Sequence, residues 1–258
     1  QFRDNMTLVH LSIWMSGISF IFFVLVISIV SGKVIKPFIR NYERQRRFIT
    51  NAGHELKTPL AIISANNELV ELMNGESEWT KSTNDQVERM TGLINGLVAM
   101  ARLEEQPELV LTNVNFSDIT RDAAEDFKGT VIKDGKEFVM DIQPNIHVKA
   151  EEKSLFELVT LLVDNANKYC DPAGKVSVTL SKNRLSKAKL EISNTYTKGK
   201  DFDYTKFFER FYREDESHNN KTSGYGIGLS MAQTMVKLLK GNISVTYKDD
   251  TITFVVSL

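Results

Sequence analysis

The sequence predicts a multi-domain protein with a transmembrane helix, an antiparallel helical hairpin forming a dimeric four-helix bundle, and an α+β sandwich domain. Three observations support this fold class: an apolar run near the N-terminus, two stretches with apolar residues at helical spacing, and a C-terminal half that alternates strand-like and helical segments. The predicted boundaries are 1–32 for the membrane segment, 33–104 for the linker and hairpin, and 105–258 for the sandwich.

Composition limits the functional classes. The 258 residues are 25% charged and 42% hydrophobic, which is typical of a folded protein. The formal net charge of -1 shows no basic excess, so we expect no nucleic acid partner. Cys170 is the single cysteine, which excludes an intrachain disulfide and a cysteine metal cluster and favours a cytosolic location for the soluble part.

Residues 11–30 form the apolar run and contain no ionisable side chain. At the rise of an α-helix this length crosses about 30 Å of hydrocarbon. A buried core helix and a signal peptide are the alternatives, but a signal peptide carries its basic residues before the apolar segment. Here Arg3 precedes the run, and the basic residues that follow it are Lys33, Lys36, Arg40, Arg44, Arg46 and Arg47. The positive-inside rule therefore predicts a membrane span with the C-terminal part in the cytoplasm.

Two helical stripes follow the apolar run. The first has the spacing of one helix face and consists of Phe48, Ala52, Leu56, Leu60, Ile63, Asn67, Val70 and Met73, with Asn67 as its polar member. The second, after the breaker-rich stretch NGESEWT, consists of Val87, Met90, Ile94, Leu97 and Ala101. The short connection predicts an antiparallel hairpin, and a hairpin cannot bury both stripes alone. A dimeric four-helix bundle is the expected completion, and a monomeric hairpin packed on its own C-terminal domain is the alternative.

The C-terminal half contains strand-like runs and helices. The runs are KEFVMDI, KVSVTLSK, AKLEISN and NISVTYKDDTITFVVSL, and the Asp249-Asp250 pair within the last run predicts a hairpin turn. Residues 151–169 predict a helix with one apolar face. This mixture predicts an α+β sandwich, and residues 197–225 form a long irregular segment within it.

The stretch NAGHELKTPL concentrates reactive side chains on the first hairpin helix. His54 points away from the apolar stripe and is expected in solvent, with Thr58 one turn later on the same face. Glu55 is adjacent and is expected to hydrogen-bond one imidazole nitrogen, which would leave the other nitrogen nucleophilic. Pro59 is expected to bend the helix just past His54. A solvated surface histidine is the alternative interpretation.

The stretch LLVDNANKYC lies on the predicted helix 151–169. Asn165 offers a neutral oxygen that Mg²⁺ accepts alongside phosphate oxygens, and Lys168 adds a positive charge one turn later. Tyr169 can lie flat against a base. A capped core helix is the alternative.

The stretch SGYGIGLSMAQ contains three alternating glycines, Gly224, Gly226 and Gly228, at the start of a helix. Backbone N–H groups and a helix N-terminus can bind an anion there. A mobile loop is the alternative. The sequence does not support a dinucleotide-binding Rossmann site or a P-loop.

Together these motifs resemble those of the membrane-bound sensor histidine kinases of bacterial two-component systems. HELKTP is similar to the phosphoacceptor box, DNANKY to the N box, FFERFYR to the F box and GYGIGL to the G2 box, in the order of that family. The resemblance extends over about residues 38–258. It implies a dimerisation and phosphotransfer hairpin followed by an ATP-binding domain of the Bergerat type, with the kinase region on the cytoplasmic side of a bacterial cell membrane.

The resemblance also implies roles for individual residues. His54 would accept the γ-phosphoryl group, Glu55 would act as base, and Thr58 would position water for dephosphorylation of the partner. Asn165 would ligate Mg²⁺. The residues implied at the ATP site are Asn165, Lys168, Tyr169, Asn194, Arg213, Gly224, Gly226 and Gly228.

Two positions depart from the family pattern. Asn194, in ISNTYTKGK, occupies the place of the Asp that usually reads adenine, and Leu161 occupies the place of the first Asn of the N box. The expected activity is autophosphorylation of His54 and transfer of the phosphoryl group to an aspartate of a separate response regulator. A non-catalytic scaffold that binds a regulator is the alternative. A gyrase-type ATPase would need a catalytic Glu where Leu161 stands.

Overall fold

The computed structural model of the protein describes residues 2–105, 110–183, 187–212 and 226–258. The chain divides into two compact units, one up to Asn51 and one from Ala52 to the C-terminus.

The first unit is helical. It contains α1 (Phe2–Val30), a π-helical segment (Ser31–Ile35) and the beginning of α2 (Lys36–Asn74). The stretch His10–Lys33 has a mean hydropathy of 2.5, and its length and composition suit a membrane span. Its most apolar part is unburied, unlike the core helix of a soluble protein.

The second unit begins with the predicted helical hairpin, which the structure confirms. From Ala52, α2 continues through Pro59 to Asn74, and α3 spans Glu78–Glu105. Leu60, Val87, Ile94 and Val98 form the buried seam between them. Near the connecting turn, Asn67 Nδ2 donates to Thr80 O at 2.7 Å and to Asn84 Oδ1 at 2.8 Å. These polar contacts fix the register of the two helices because a shift would leave the amide unpaired.

The seam does not follow the first predicted stripe. Leu56, Ile63 and Val70 are 47%, 45% and 46% exposed, although Leu60 is buried. The reason lies at Gly53, where an added Cβ would lie 2.2 Å from Val98 Cγ2. The missing side chain lets α3 approach α2 on the face of Gly53, Leu60 and Asn67. Leu56, Ile63 and Val70 of the predicted stripe are left outside the seam.

The C-terminal domain is an α+β sandwich, as predicted. Its helices are α4 (Phe116–Lys133), α5 (Glu152–Tyr169) and α6 (Gly228–Leu238). Its strands are β1 (Thr112–Asn115), β2 (Glu137–Ile142), β3 (His147–Ala150), β4 (Lys175–Lys182), β5 (Ala188–Thr195), β6 (Asn242–Lys248) and β7 (Thr251–Ser257). The main sheet has the order β2-β4-β5-β7-β6, and β1 pairs with β3 in a separate two-stranded sheet.

Strand directions follow from the connections. The β2–β4 pair is parallel because α5 lies between these strands in the chain, and the remaining pairs of the main sheet are antiparallel. The β6–β7 hairpin turns at Asp249 and Asp250, whose φ angles of 50° and 54° are those of the tight turns that suit a twisted hairpin. The core lies between the main sheet and the helices, and Leu155, Leu162, Leu190 and Phe254 are among its fully buried side chains.

Candidate functional site

His54 is exposed on α2 and its imidazole contacts a side chain from α3. Arg102 Nη2 lies 3.2 Å from His54 Nε2. A guanidinium has N–H donors and no acceptor, so Nε2 accepts this hydrogen bond and the neutral ring carries its proton on Nδ1. The electron pair of Nε2 is therefore the one that the Arg102 guanidinium contacts.

Glu55 and Thr58 are exposed beside His54. The expected hydrogen bond between Glu55 and His54 is not formed within the described part of the chain, where the recorded partner of His54 is Arg102. Consecutive residues on a helix point about 100° apart, so they do not face each other. Thr58 stands one turn after His54, and the roles of Glu55 and Thr58 remain predictions.

Sequence reasoning missed Arg102. Arg102 follows the buried Val98 by one turn, but Val98 is not a member of the predicted second stripe, so the spacing did not single out Arg102. Val98 packs against Gly53, the residue before His54. The same face of α3 therefore brings Arg102 to His54.

Three predicted residues lie near the C-terminal end of α5. Asn165 is half-buried, and its side chain makes no hydrogen bond within the described ranges. Lys168 is paired with Asp164 on the same helix, with 3.7 Å between Nζ and Oδ2. Tyr169 is half-buried and has partners of its own. Asn165 thus keeps an amide oxygen free for a ligand.

A partly buried polar network, not expected from the sequence, anchors this end of α5. Asn167 Nδ2 donates to Asp134 Oδ2 at 3.0 Å, and Lys136 Nζ donates to Asn167 Oδ1 at 3.2 Å. Asp134 and Lys136 follow α4 in the chain. The network ties α5 to the turn after α4 and holds the neighbouring Asn165 and Lys168 in place.

Asn194 is the inward-facing residue near the end of β5. It is 1% exposed and lies on the same face of the strand as the buried Leu190 and Ile192. Its Nδ2 donates to Thr195 O at 3.2 Å, and its Oδ1 is buried with no partner among the described residues. A buried acceptor without a donor costs about 1–3 kcal/mol, so this oxygen is a candidate for binding a ligand N–H group.

The glycines of the third motif have different surroundings. Gly226 has a φ of 69°, and an added Cβ would lie 2.7 Å from the carbonyl carbon of Phe211. Phe211 N–H donates to Gly226 O at 2.8 Å. Gly226 is therefore required for backbone packing. This packing explains the glycine without invoking its predicted role in binding phosphate. Arg213 and Gly224 lie outside the described residues.

Gly228 begins α6 and is open to its surroundings. The nearest atom to an added Cβ would be Leu161 Cδ2, at 3.8 Å. Ile227, between the two glycines, is buried, and its Cδ1 lies 3.0 Å from where a Cβ would stand on Gly96 of α3. The start of α6 thus contacts both α5 and the second hairpin helix.

No cluster of His, Cys, Asp and Glu suited to a metal occurs among the described residues. Asn165 could supply one neutral oxygen, which is too few ligands to hold a divalent cation alone. A cation at this site would depend on phosphate oxygens and water for its other ligands.

Two family models match the chain. The His Kinase A (phospho-acceptor) domain matches residues 44–106, and the "Histidine kinase-, DNA gyrase B-, and HSP90-like ATPase" matches residues 150–258. The first match contains His54 and Arg102, and the second contains Asn165, Asn194 and Gly226.

Curated relatives match over both domains. The sensor protein CiaH of Streptococcus pneumoniae is 30% identical over 222 residues, which cover 82% of this chain and 48% of that protein. The sensor protein DltS of Streptococcus agalactiae is 27% identical over 230 residues, which cover 89% of this chain and 58% of that protein. The chain therefore spans about half the length of the curated relatives it matches.

Solved structures share the fold. ShkA matches with a TM-score of 0.62 at 21% identity over 82% of this chain and 45% of that one. The histidine kinase AdeS of Acinetobacter baumannii matches with a TM-score of 0.58 at 20% identity over 80% of this chain and 96% of that one. With a phosphoacceptor hairpin and an ATPase domain in the same order as in its sensor relatives, the chain belongs to the sensor histidine kinase family.

Proposed function

We propose that this chain transfers the γ-phosphoryl group of ATP to His54 and then passes it to an aspartate of a separate response regulator. The observation that carries the proposal is the exposed His54 imidazole and its contact with Arg102. It is exposed on the phosphoacceptor hairpin with Nε2 as a hydrogen-bond acceptor, in one chain with an ATPase domain. A neutral imidazole with a free electron pair is a nucleophile for phosphoryl transfer.

The ATP site is proposed to lie between α5 and the main sheet. Asn194 Oδ1 suits the adenine amino group because it is a buried acceptor without a partner. Asn165 would ligate Mg²⁺, which also binds phosphate oxygens and neutralises their charge during transfer. The solved relative ShkA was crystallised in complex with AMPPNP, a finding about that protein that supports a nucleotide in this fold.

A homodimer would complete the helical bundle. Leu56, Ile63 and Val70 are spaced seven residues apart and are each almost half exposed in the single chain. Such a stripe is typical of a helix that packs against a second helix pair. The apolar helix at the N-terminus would place the dimer at the bacterial membrane, with the kinase region in the cytoplasm.

Autophosphorylation can be tested with the purified full chain in detergent. Incubation with Mg²⁺ and ATP labelled in the γ-phosphoryl group should give label on the protein that is labile in acid and stable in base. His54→Gln should abolish the label and leave nucleotide binding intact. The matched control is His147→Gln, which removes an exposed histidine from β3 and should leave labelling unchanged. Label that persists in His54→Gln would contradict the assignment.

The non-catalytic scaffold predicts a different outcome. A scaffold would bind a receiver domain without taking label, whether or not ATP is present.

Thr58→Ala separates the two activities of the kinase, because Thr58 is proposed to position water and not to attack phosphorus. It should spare labelling of His54 and slow the loss of phosphate from the phosphorylated regulator. An equal loss of both activities would show that Thr58 supports the helix.

A further inference from the structure

We propose that Arg102 is a catalytic residue that binds the phosphoryl group on His54 and stabilises the phosphorylated state of the hairpin. This inference rests on the proposed autophosphorylation and adds a residue to it. Its starting point is the 3.2 Å contact between Arg102 Nη2 and His54 Nε2, the atom that would form the bond to phosphorus.

The packing of the hairpin places this arginine. Gly53 has no side chain, and Val98 fills the space where its Cβ would be. His54 is the residue after Gly53, and Arg102 is one turn after Val98 on the same side of α3. The contact between the guanidinium and the imidazole therefore follows from the closest approach of the two helices, on helical segments that both lie in the compact unit from Ala52 on.

Before transfer, Arg102 determines which ring nitrogen can react. Its N–H groups require an acceptor, so Nε2 keeps its electron pair and Nδ1 keeps the proton. No proton has to leave Nε2 before it attacks. The guanidinium must move from the electron pair as the phosphoryl group approaches.

During transfer, the Nε2–P bond forms and the bond from phosphorus to the β–γ bridging oxygen breaks, with its electron pair leaving on ADP. The ring is then positively charged until the Nδ1 proton passes to a base, the role predicted for Glu55. The phosphoryl oxygens now occupy the space beside Nε2 that faces Arg102. A planar guanidinium can donate two parallel hydrogen bonds to them, and this pairing of full charges is stronger than its earlier bond to a neutral nitrogen.

Two consequences follow for the phosphorylated protein. The equilibrium between His54 with ATP and phosphohistidine with ADP shifts toward phosphohistidine, because Arg102 binds the product side more strongly. Spontaneous loss of the phosphoryl group also slows, because the positive charge disfavours protonation of the phosphorylated ring. Protonation of that ring makes the imidazole a better leaving group.

The experiment compares Arg102→Gln and Arg102→Lys with the unchanged full chain in detergent. Arg89→Gln is the matched control, because Arg89 lies on the same helix and makes no hydrogen bond with His54 in the described part of the chain. The equilibrium constant is measured by adding ADP to labelled protein and following label in protein and in ATP. After removal of nucleotide and Mg²⁺, loss of label is followed between pH 5 and pH 9, about the range in which histidine titrates.

Arg102→Gln should lower the equilibrium constant about fivefold, the difference expected between a charge-assisted and a neutral hydrogen bond. It should also speed the loss of label and move the acid-promoted loss to higher pH. Arg102→Lys should recover part of both effects because it keeps the charge and loses the planar fork. After denaturation every variant should lose label at the same rate.

Several results would overturn the inference. An equilibrium constant and a pH profile in Arg102→Gln equal to those of Arg89→Gln would show that Arg102 does not bind the phosphoryl group. A purely structural role would be shown by a different result. In that case Arg102→Gln would lower both the equilibrium constant and the melting temperature, and Arg102→Lys would not restore the equilibrium constant. Absence of label in the unchanged chain is distinct from both results, because it would contradict the proposed function itself.

Discussion

The amide of Phe211 donates a 2.8 Å hydrogen bond to the carbonyl oxygen of Gly226, and both residues have positive φ angles, 65° and 69°. The FFERFYR and GYGIGL stretches are thus joined backbone to backbone, with the fourteen residues of 212–225 between Phe211 and Gly226 in the chain. The glycine is required here because its Cβ position is filled by Phe211 and by Tyr212 O.

Gly226→Ala should break this junction. The left-handed backbone costs an L-residue about 1–2 kcal/mol, and the overlap with Phe211 adds to that cost. We expect a melting temperature lower by about 5 °C and weaker binding of a fluorescent ATP analogue. Gly129→Ala is the control, because Gly129 lies in α4 with nothing within 4 Å of its Cβ position, and it should be neutral or stabilising. An unchanged melting temperature in Gly226→Ala would contradict the assigned packing.

The close contact between Gly53 and Val98 can be measured by a double-mutant cycle. Gly53→Ala inserts a methyl group 2.2 Å from Val98 Cγ2 and should lower the free energy of unfolding by about 1–3 kcal/mol. Val98→Ala alone should also destabilise, because it leaves a cavity. The double variant should lose about 1 kcal/mol less than the sum, since each change relieves the other. Strict additivity in denaturant titrations would show that the two residues do not touch.

Asn194→Asp restores the carboxylate that the family usually has at this position. A charged acceptor should hold the adenine amino group more strongly by about 1 kcal/mol, which raises the affinity for ATP about five- to tenfold. It should lower the affinity for GTP, because the edge of guanine presents a carbonyl in place of the amino group. The nucleotide-free protein should become less stable, because the carboxylate loses the bond to Thr195 O and is buried without a partner.

Calorimetric titration with both nucleotides tests this substitution. Ser193→Ala is the control, because Ser193 is the preceding residue on β5 and its hydroxyl pairs with Ser177 on the other face of the strand. Ser193→Ala should leave both affinities unchanged. If Asn194→Asp moves neither affinity, Asn194 does not face the base.

Cys170 reports on unfolding. Burial raises the pKa of its thiol, with smaller opposing effects from Lys136 and from a hydrogen bond to the backbone of Thr195. Because the thiolate is the reactive form, iodoacetamide should label Cys170 slowly at pH 8 in the folded protein and rapidly in urea. The unfolded thiol ionises more readily, so the free energy of unfolding should fall as the pH rises past about 8.5. Equal labelling rates in folded and unfolded protein would contradict this burial.

The sequence predicted the elements well where periodicity is strong. The four strand-like runs, the helix of residues 151–169 and the Asp249-Asp250 turn all occur, because alternation and turn residues are local signals. The two-stranded β1–β3 sheet was not predicted, since its strands have only four residues each and pair across α4 and β2. Short strands paired over long distances leave little trace in a local pattern.

The functional site was predicted only in part, because some of its contacts also join residues that are far apart in the chain. His54 is exposed as its helical position indicates, whereas its contact with Arg102 joins residues 48 positions apart in the chain. Leu60 of the predicted apolar stripe lies in the intrachain seam, but Leu56, Ile63 and Val70 lie outside it, because α3 packs closely against Gly53. A hydrophobic pattern identifies a face and does not identify which neighbour covers it.

The hydrogen bonds of Asn67 near the hairpin turn have a consequence at the other end of the bundle. Asn67 lies thirteen residues from His54, about 20 Å along α2. A slip of α3 by a single turn would carry Arg102 about 5.4 Å along the bundle, out of hydrogen-bonding reach of the imidazole. The contacts to Thr80 O and Asn84 Oδ1 therefore set the relative position of the two helices along their length, so an amide about 20 Å from His54 determines that Arg102 lies beside the imidazole.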